Sequence, residues 1–346
     1  MSNPGSSLRK GADFVAAGLV APQQAAAIDR VAARYAVAIT PLLAGLVDAA
    51  DPGDPIARQF LPDGRELEAS DGERPDPIGD LLHAPVKGIV HRYPDRVLLT
   101  PLLHCPVYCR FCFRRERVGG DEKALTAAEQ ATALDYIRTR PEIWEVVITG
   151  GDPLMLPTPR LAALMTAIEA IGHVQVIRLH SRVPIADPDR IDAALLKSLQ
   201  LERCAVWLAI HCNHARELTD SAAAACRRLS GIGIPLLGQT VLLKGVNDQA
   251  DLLEALFRAM VAHRIKPYYL HQLDLAPGTG HFRTPIEQGQ ALMRSLRGRV
   301  SGLCQPTYVL DLPGGHGKVP IGPFYLDSVG GVTDWQGGHH LYPPAP

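Results

Sequence analysis

The chain has 346 residues, 47% of them hydrophobic and 21% charged, which is enough to bury a sizeable core as one large domain or as two smaller ones. Its 35 Lys and Arg residues nearly balance 36 Asp and Glu residues, so no overall charge favours nucleic acid or an anionic membrane. The weakly apolar stretch at residues 12–20 is too short and too interrupted for a signal or membrane segment. We expect a cytoplasmic protein with neither a nucleic acid nor a membrane as partner.

The first 90 residues predict a mostly helical and irregular segment, called here the N-terminal wrap. A helix is expected over residues 22–37, because Ile28, Val31 and Tyr35 have the spacing of one helical face. Residues 51–55 and 71–77 are rich in Pro, Gly and Asp, which is typical of irregular connections. The wrap is therefore expected to pack on a larger domain.

From residue 96 onward, short apolar runs alternate with helical segments, which predicts a parallel sheet with crossover helices. Thr126 and Glu129 form a capping box, and a proline follows Thr158, Asp187 and Thr284, as at helix starts. Six strands are expected, and the last five begin roughly 30 residues apart, as strands of βαβ units do. The six runs begin near Arg96, Glu145, Val174, Cys204, Ile234 and Lys266.

Six such units can form either an open sheet or a partial barrel, and periodicity does not choose between them. Polar clusters follow the expected strand ends, at residues 105–112, 150–153, 178–182 and 211–214 and at Asp274. The carboxyl ends of barrel strands converge on one mouth, so the clusters favour a barrel with its site there.

The cysteine loop, residues 105–112, reads Cys105-Pro-Val-Tyr-Cys109-Arg-Phe-Cys112 and follows an apolar run. Three thiolates this close can ligate one soft metal centre, and an iron–sulfur cube held by three Cys keeps one iron open. A zinc site completed by a distant ligand is the alternative. The other four cysteines show no paired spacing and are expected to be buried in a protein of a reducing compartment.

A second candidate is Lys318, which follows the glycine loop, residues 313–317, in the sequence Pro313-Gly-Gly-His-Gly-Lys318. A lysine presented in this way can form a Schiff base with a carbonyl group. A phosphate-binding loop is the competing interpretation, but Val319 stands where that motif requires Ser or Thr.

The cysteine loop resembles the CxxxCxxC signature of the radical S-adenosylmethionine superfamily. In that superfamily the open iron binds S-adenosylmethionine, and an electron from the cluster cleaves it to a 5′-deoxyadenosyl radical. Over roughly residues 50–330 the chain resembles, more narrowly, the lysine 2,3-aminomutase family. The matching segments are residues 54–59, 91–96, the cysteine loop with Arg114 and Arg115, 150–154, 180–182, 239–248, 281–285 and 311–318.

The resemblance implies an α/β fold with a partial (β/α)6 radical-SAM barrel. Three domains are expected: the N-terminal wrap at 1–90, the barrel at 91–283 and a C-terminal extension at 284–346 that carries the lysine for pyridoxal 5′-phosphate. The metal ligands would be Cys105, Cys109 and Cys112 of a [4Fe-4S] cluster. Lys318 would be catalytic and would bind pyridoxal 5′-phosphate covalently.

The same resemblance implies roles for the other site residues. Arg114 matches the arginine that binds the substrate carboxylate, although a surface basic run is the alternative. Asp274 and Asp311 match the residues that bind the lysine ε-ammonium, and two carboxylates at one mouth would favour a cationic substrate end. Further cofactor contacts are expected from Arg92, Arg96, Gly150, Gly151, Asp152, His211 and Gln239. A satisfied core histidine is the alternative for His211.

The implied function is that of an L-lysine 2,3-aminomutase, an isomerase that converts L-α-lysine to β-lysine by radical amino migration. Alternatives are the family branch that supplies (R)-β-lysine for elongation factor P and an aminomutase for another cationic amino acid, such as arginine. A radical enzyme without pyridoxal phosphate, or a metal-stabilised binding protein, stays open as well.

The expected partners are lysine, an electron donor such as flavodoxin or ferredoxin, and further copies of the same chain. No zinc is expected, since Gln249 stands where clostridial relatives have their first zinc cysteine and their longer tail is absent.

Overall fold

The fold is built around one large sheet in a computed structural model that describes residues 7–120, 124–328 and 330–343. In these residues nine strands form the sheet, in chain order, and two short strands form a separate hairpin. The strands of the sheet are β1 (Ile89–Tyr93), β2 (Arg96–Leu102), β3 (Glu145–Gly150), β4 (Val176–Ser181), β5 (Ala205–His211), β6 (Leu236–Val241), β7 (Ile265–His271), β8 (Thr307–Leu312) and β9 (Gly317–Pro320). The hairpin consists of β10 (Gly331–Thr333) and β11 (His339–Leu341).

Strands β2 to β8 run parallel, while β1 and β9 add antiparallel edges. The six predicted strands are β2 to β7, and each begins within two residues of its expected start. The α/β barrel prediction is therefore confirmed. The seventh parallel strand, β8, was not predicted because it lies in the C-terminal extension, beyond the regular βα spacing.

Helices cross over between the parallel strands and cover the sheet. The helices are α1 (Gly11–Ala16), α2 (Ala25–Ala32), α3 (Pro41–Ala44), α4 (Pro55–Phe60), α5 (Ala127–Arg138), α6 (Thr158–Glu169), α7 (Val183–Ala186), α8 (Ala193–Ser198), α9 (Asp220–Gly231), α10 (Ala250–Ala262) and α11 (Ile286–Leu296). Within the described ranges no helix is long and apolar enough to cross a bilayer.

One of the four local helix signals, the capping box at Thr126, is confirmed in full. Asp187 precedes only a short 3-10 turn and makes no capping hydrogen bond to it, and α11 begins at Ile286, two residues after Thr284, so these two predicted caps are wrong. The Thr126 hydroxyl accepts a hydrogen bond from the Glu129 amide at 3.2 Å, and the Glu129 carboxylate accepts one from the Thr126 amide at 2.8 Å, which caps α5. In α6 the helix begins at Thr158 itself, one residue earlier than a Thr158 cap would give.

The N-terminal wrap contains a shorter helix than the sequence predicts. Helix α2 ends at Ala32, and the amide of Arg34 donates to Val31 O at 3.0 Å, three residues back, as the last turn tightens. The chain then becomes extended, and Ile39 pairs with Leu8 in an isolated antiparallel bridge. Tyr35 is buried as predicted, but a tight turn, and not a continuing helix, places it in the core.

Candidate active site

A cavity of about 790 Å³ opens at the carboxyl ends of the parallel strands, where the sequence predicts the site. Every predicted site residue lines it: Arg92, Arg96, Cys105, Cys109, Cys112, Arg114, Gly150, Gly151, Asp152, His211, Gln239, Asp274, Asp311 and Lys318. The barrel thus brings together residues that are more than 200 positions apart in the chain.

The cysteine loop follows β2 and is held by the N-terminal wrap. The amide of Tyr108 donates to Ala38 O at 3.0 Å, and the amide of Arg110 donates to Gln59 O at 2.9 Å. Burial raises the pKa of the Cys112 thiol to about 11 and that of Cys105 well above its usual value. These thiols therefore stay protonated until a metal displaces the protons.

The donor set fits an iron–sulfur cluster. All seven cysteines lie in described residues and have free thiols, and the four outside the loop are buried, as expected. In the described part of the chain, no group of three or more His, Cys, Asp or Glu side chains is arranged around a single ion. A cube does not need such convergence, because each thiolate binds a different iron.

Lys318 lies on the edge strand β9, directly opposite Asp311 of β8 in the strand register. Its Nζ forms an ion pair with the Asp311 carboxylate and lies 3.2 Å from Nδ1 of His271. The Lys318 amide donates to the Tyr93 hydroxyl at 2.7 Å, which fixes the backbone that carries the side chain. Burial would raise the pKa of Asp311, but His271 and Lys318 hold it well below its usual range.

Asp274 lies beyond the end of β7, and its environment differs from that of Asp311. Its Oδ1 is buried and, among the described residues, has no hydrogen-bond partner. Burial, followed by the nearby negative charge of Asp311, raises the pKa of Asp274 to about 8. The two carboxylates therefore carry about one negative charge between them at neutral pH.

Two of the three arginines expected to bind anions, Arg92 and Arg114, share one buried carboxylate, Asp80 of the N-terminal wrap. Nη2 of Arg92 donates to Asp80 Oδ1 at 2.9 Å, and Nη2 of Arg114 donates to Asp80 Oδ2 at 2.8 Å. Burial alone would raise the pKa of Asp80, but Arg114 and Arg92 lower it. No local motif marks Asp80 in the sequence, because an Asp within an irregular Asp-rich stretch is most often a turn residue.

Gly150 and Gly151 allow two loops to approach closely. Gly150 has a φ of 109°, and a Cβ on Gly151 would lie 2.4 Å from His104 O, beside the cysteine loop. Asp152 is buried and accepts from the Ser181 hydroxyl at 2.8 Å and from the Arg182 amide at 2.7 Å. This segment therefore ties the ends of β3 and β4 to the cysteine loop.

Gln239 and His211 lie on neighbouring strands of the cavity wall. Nε2 of Gln239 is 3.0 Å from Nε2 of His271, so His271 bridges Gln239 to Lys318. His211 packs edge-on against Phe111, and burial lowers its pKa well below the usual value. Both histidines are therefore neutral at physiological pH.

Arg96 lines the cavity from the first residue of β2, at the amino end of that strand. Its guanidinium lies 3.9 Å from the centre of the Tyr93 ring and donates to Asp95 at 2.6 Å. Sequence reasoning placed residues 178–182 at the mouth but assigned no individual role to four residues that line the cavity: Tyr93, His180, Arg182 and His271. Their position next to strand ends was a usable signal for all except Tyr93, which lies on the antiparallel edge strand β1.

Comparisons with known proteins agree with this geometry. The family model described as "Radical SAM superfamily" matches residues 99–256, and the model described as "Lysine-2,3-aminomutase" matches residues 293–332. The second match covers Asp311, the glycine loop and Lys318.

Three curated relatives span most of the chain. The "L-lysine 2,3-aminomutase" of Acetoanaerobium sticklandii is 39% identical over 89% of this chain and 74% of that protein. The "L-lysine 2,3-aminomutase" of Clostridium subterminale is 40% identical over 84% of this chain and 70% of that protein. The "Glutamate 2,3-aminomutase" of Clostridioides difficile is 35% identical over 90% of this chain and 74% of that protein.

Identity at this level over most of both proteins, with a matching barrel and C-terminal segment, identifies the family. The chain belongs to the lysine 2,3-aminomutase family of the radical S-adenosylmethionine superfamily, and it is an isomerase of the radical aminomutase type.

Proposed function

We propose that this chain is an L-lysine 2,3-aminomutase, which moves the α-amino group of L-lysine to the neighbouring carbon, with pyridoxal 5′-phosphate bound covalently to Lys318. The relatives that are about 40% identical and named for lysine support this proposal. The observation that carries it is the pair of carboxylates, Asp274 and Asp311, in the same cavity as Lys318. A terminal ammonium is the substrate group that such a pair favours.

Membership of the superfamily implies a [4Fe-4S] cluster and S-adenosylmethionine. When bound, these cofactors supply the radical that removes and returns a substrate hydrogen, and pyridoxal phosphate would activate the migrating amino group. Cys105, Cys109 and Cys112 would hold the cluster. Arg92, Arg96, the backbone at Gly150 and Gly151, Asp152, His211 and Gln239 would contact or position the cofactors from the cavity wall.

The far end of lysine would be recognised by charge. Asp274 offers a buried oxygen that none of the described residues contacts by a hydrogen bond, and a charge-assisted hydrogen bond from an ammonium is worth about 1.5–3 kcal/mol. The Asp311 carboxylate, which pairs with Nζ of Lys318 in this structure, would be the second acceptor for the substrate ammonium. Glutamate would instead bring a third carboxylate next to the negative charge of Asp311, and the two anions would repel each other.

The near end of the substrate would meet Arg114. Nε and Nη2 of this arginine are held by Asp80, whereas Nη1 makes a long contact of 3.4 Å with the Thr149 hydroxyl. Asp80 therefore orients the guanidinium and leaves one edge for the α-carboxylate of the amino acid.

The test is anaerobic reconstitution of the cluster, followed by incubation with lysine, arginine, ornithine or glutamate and chiral analysis of the products. We expect β-lysine as the main product, and its configuration tests the alternative that the chain supplies (R)-β-lysine for elongation factor P. Turnover of glutamate or arginine equal to that of lysine would overturn the substrate assignment.

The cofactor lysine is tested separately by trapping pyridoxal phosphate with borohydride. Lys318→Ala should lose the trapped cofactor and keep its iron, because the cysteine loop and β9 are separate segments. Lys266→Ala is the matched control, since Nζ of Lys266 donates to the backbone carbonyls of Pro267 and Gln305, outside the cavity. Cofactor trapped on the Lys318→Ala variant would point to another lysine.

Three wider features belong to the same proposal: the three-domain division, a one-electron donor such as flavodoxin or ferredoxin, and assembly into a homo-oligomer. Limited proteolysis, reduction assays with each donor and sedimentation analysis test them in turn.

A further inference from the structure

A buried arginine contacts one of the predicted cluster ligands. Arg182 follows β4 and is 5% exposed, and its Nη1 donates to Sγ of Cys109 at 3.2 Å. This is a charge-assisted hydrogen bond to sulfur, and it lies in a place from which water is largely excluded. The positive charge therefore acts on Cys109 with little screening.

The guanidinium is fixed in this position from several sides. Nη2 donates to Gln59 Oε1 at 3.1 Å and forms an ion pair with Glu217, and the Phe60 ring lies 4.7 Å from the guanidinium. The backbone amide of Arg182 is bound to Asp152. Arg182 therefore has little freedom to turn away from Cys109.

Glu217 lies behind the guanidinium and is held in place by several hydrogen bonds. The side chain is fully buried, and Oε1 accepts hydrogen bonds from Gln59 Nε2 at 3.1 Å, from the Asn213 amide at 3.0 Å and from the His214 amide at 2.9 Å. Arg182 binds the other oxygen. The pair is therefore ordered with its cation toward the cysteine loop and its anion behind it.

A cluster held by three thiolates is already anionic, and its reduction by an external one-electron donor adds another negative charge. A nearby cation stabilises the reduced form more than the oxidised form, and a nearby anion does the opposite. Hydrogen bonds to cluster sulfur also act in favour of the reduced form.

We propose that Arg182 is a positioning residue that raises the reduction potential of the cluster through Cys109, and that Glu217 behind it limits this rise. The inference rests on the proposed function only in requiring the cluster at the cysteine loop. The buried network of Arg182, Glu217 and Gln59 would then tune the cluster as well as fix the N-terminal wrap to the barrel.

The test is a redox titration of the reconstituted protein, with the reduced cluster followed by electron paramagnetic resonance. Glu217→Gln should raise the midpoint potential, since it keeps the cation and removes the anion. The double variant Arg182→Gln/Glu217→Gln should lower the potential below that of the wild type, because it removes the nearer charge without leaving a buried ion unpaired. Arg228→Gln is the control, since Arg228 bonds to backbone carbonyls away from the cavity, and it should leave the potential unchanged.

A potential that falls in the order Glu217→Gln, wild type, double variant supports the inference. Equal potentials in all three proteins, each with a full complement of iron, would overturn it and leave the proposed function intact. If the wild type does not assemble a cluster, the proposed function and this inference both fail.

Discussion

At the scale of single residues, Asp274 and Asp311 differ in protonation although they are the same residue type in one cavity. Asp311 has an ammonium partner in Lys318, whereas Asp274 has a like charge nearby and a buried oxygen with no hydrogen-bond partner in the part of the chain that the structure describes. Neutralising one member of the pair avoids the repulsion of two adjacent anions. A substrate cation would reverse this preference, because it pairs with the ionised form.

This contrast predicts a pH dependence of lysine binding. Free Asp274 has a pKa raised to about 8, so it is protonated below that pH, and the substrate ammonium should force it to ionise. Binding should therefore release a proton below about pH 8, and affinity should rise with pH toward this value. Calorimetry of lysine binding in buffers with different ionisation enthalpies measures the proton directly.

Asp274→Asn provides the control for this titration. The amide cannot ionise, so proton release should disappear and the affinity should fall by roughly tenfold or more, as expected for one lost charge-assisted bond. Proton release of unchanged size in this variant would assign the titration to another group.

Sequence reasoning located some residues of the site and missed others for physical reasons. The cysteines and Lys318 carry chemistry that few other patterns explain, and their spacing is local, so the sequence alone is informative. Asp80 is important only because folding brings it to Arg92 and Arg114 from a distant segment. A residue whose function depends on a partner that is remote in sequence has no local signature.

At the scale of elements, the strand starts were predictable because buried parallel strands have apolar runs at βαβ spacing. The ends of helices were harder to predict from the sequence. The i, i+3, i+7 spacing of Ile28, Val31 and Tyr35 continues beyond the end of α2, since a tight turn places Tyr35 on the same buried side. Strand β8 was not predicted, because it begins farther from β7 than the regular spacing that identified the other strands.

A prediction at this scale concerns the contact between the β3 loop and the cysteine loop. Gly151→Ala would place a Cβ 2.4 Å from His104 O and 2.5 Å from His104 N, both of which are backbone atoms that side-chain rotation cannot relieve. We expect a loss of about 1–3 kcal/mol in the free energy of unfolding and a lower iron content after reconstitution. Denaturant unfolding and iron analysis measure the two effects.

Gly172→Ala is the matched substitution, because no atom lies within 4 Å of a Cβ at that position and its backbone has no positive φ. It should keep both stability and iron content. Equal effects of the two substitutions would show that the close approach at Gly151 does not control the cysteine loop.

At the scale of the whole molecule, the N-terminal wrap and the barrel are joined by buried polar contacts near the cavity. Asp80 of the wrap holds two cavity arginines, Gln59 holds Glu217, and His83 lies 3.0 Å from Gly315 O of the glycine loop. These contacts reach, in turn, the residues proposed to bind the substrate, the cluster and pyridoxal phosphate. The wrap therefore takes part in the site as well as covering the barrel.

A further buried contact between the N-terminal wrap and the barrel is made by Glu66, which is fully buried and binds two arginines of the barrel. Arg110, within the cysteine loop, is 2% exposed and donates through Nε to both carboxylate oxygens at 3.0 Å, while Arg115 is 4% exposed and binds the same carboxylate. Glu66→Gln would leave two buried cations without an anion, which costs about 3–5 kcal/mol when a buried pair is broken. We expect a much lower denaturant midpoint and a lower iron content after reconstitution, since Arg110 lies between two of the predicted cysteine ligands of the cluster.

Glu116→Gln is the control. It removes a carboxylate from the exposed pair with Arg34 and should lower the free energy of unfolding by less than about 1 kcal/mol. Denaturant unfolding and iron analysis of both variants compare the contribution of the buried Glu66 ion pairs with that of the exposed Glu116 pair. If Glu66→Gln were as stable as Glu116→Gln, the wrap would be held by its apolar contacts alone.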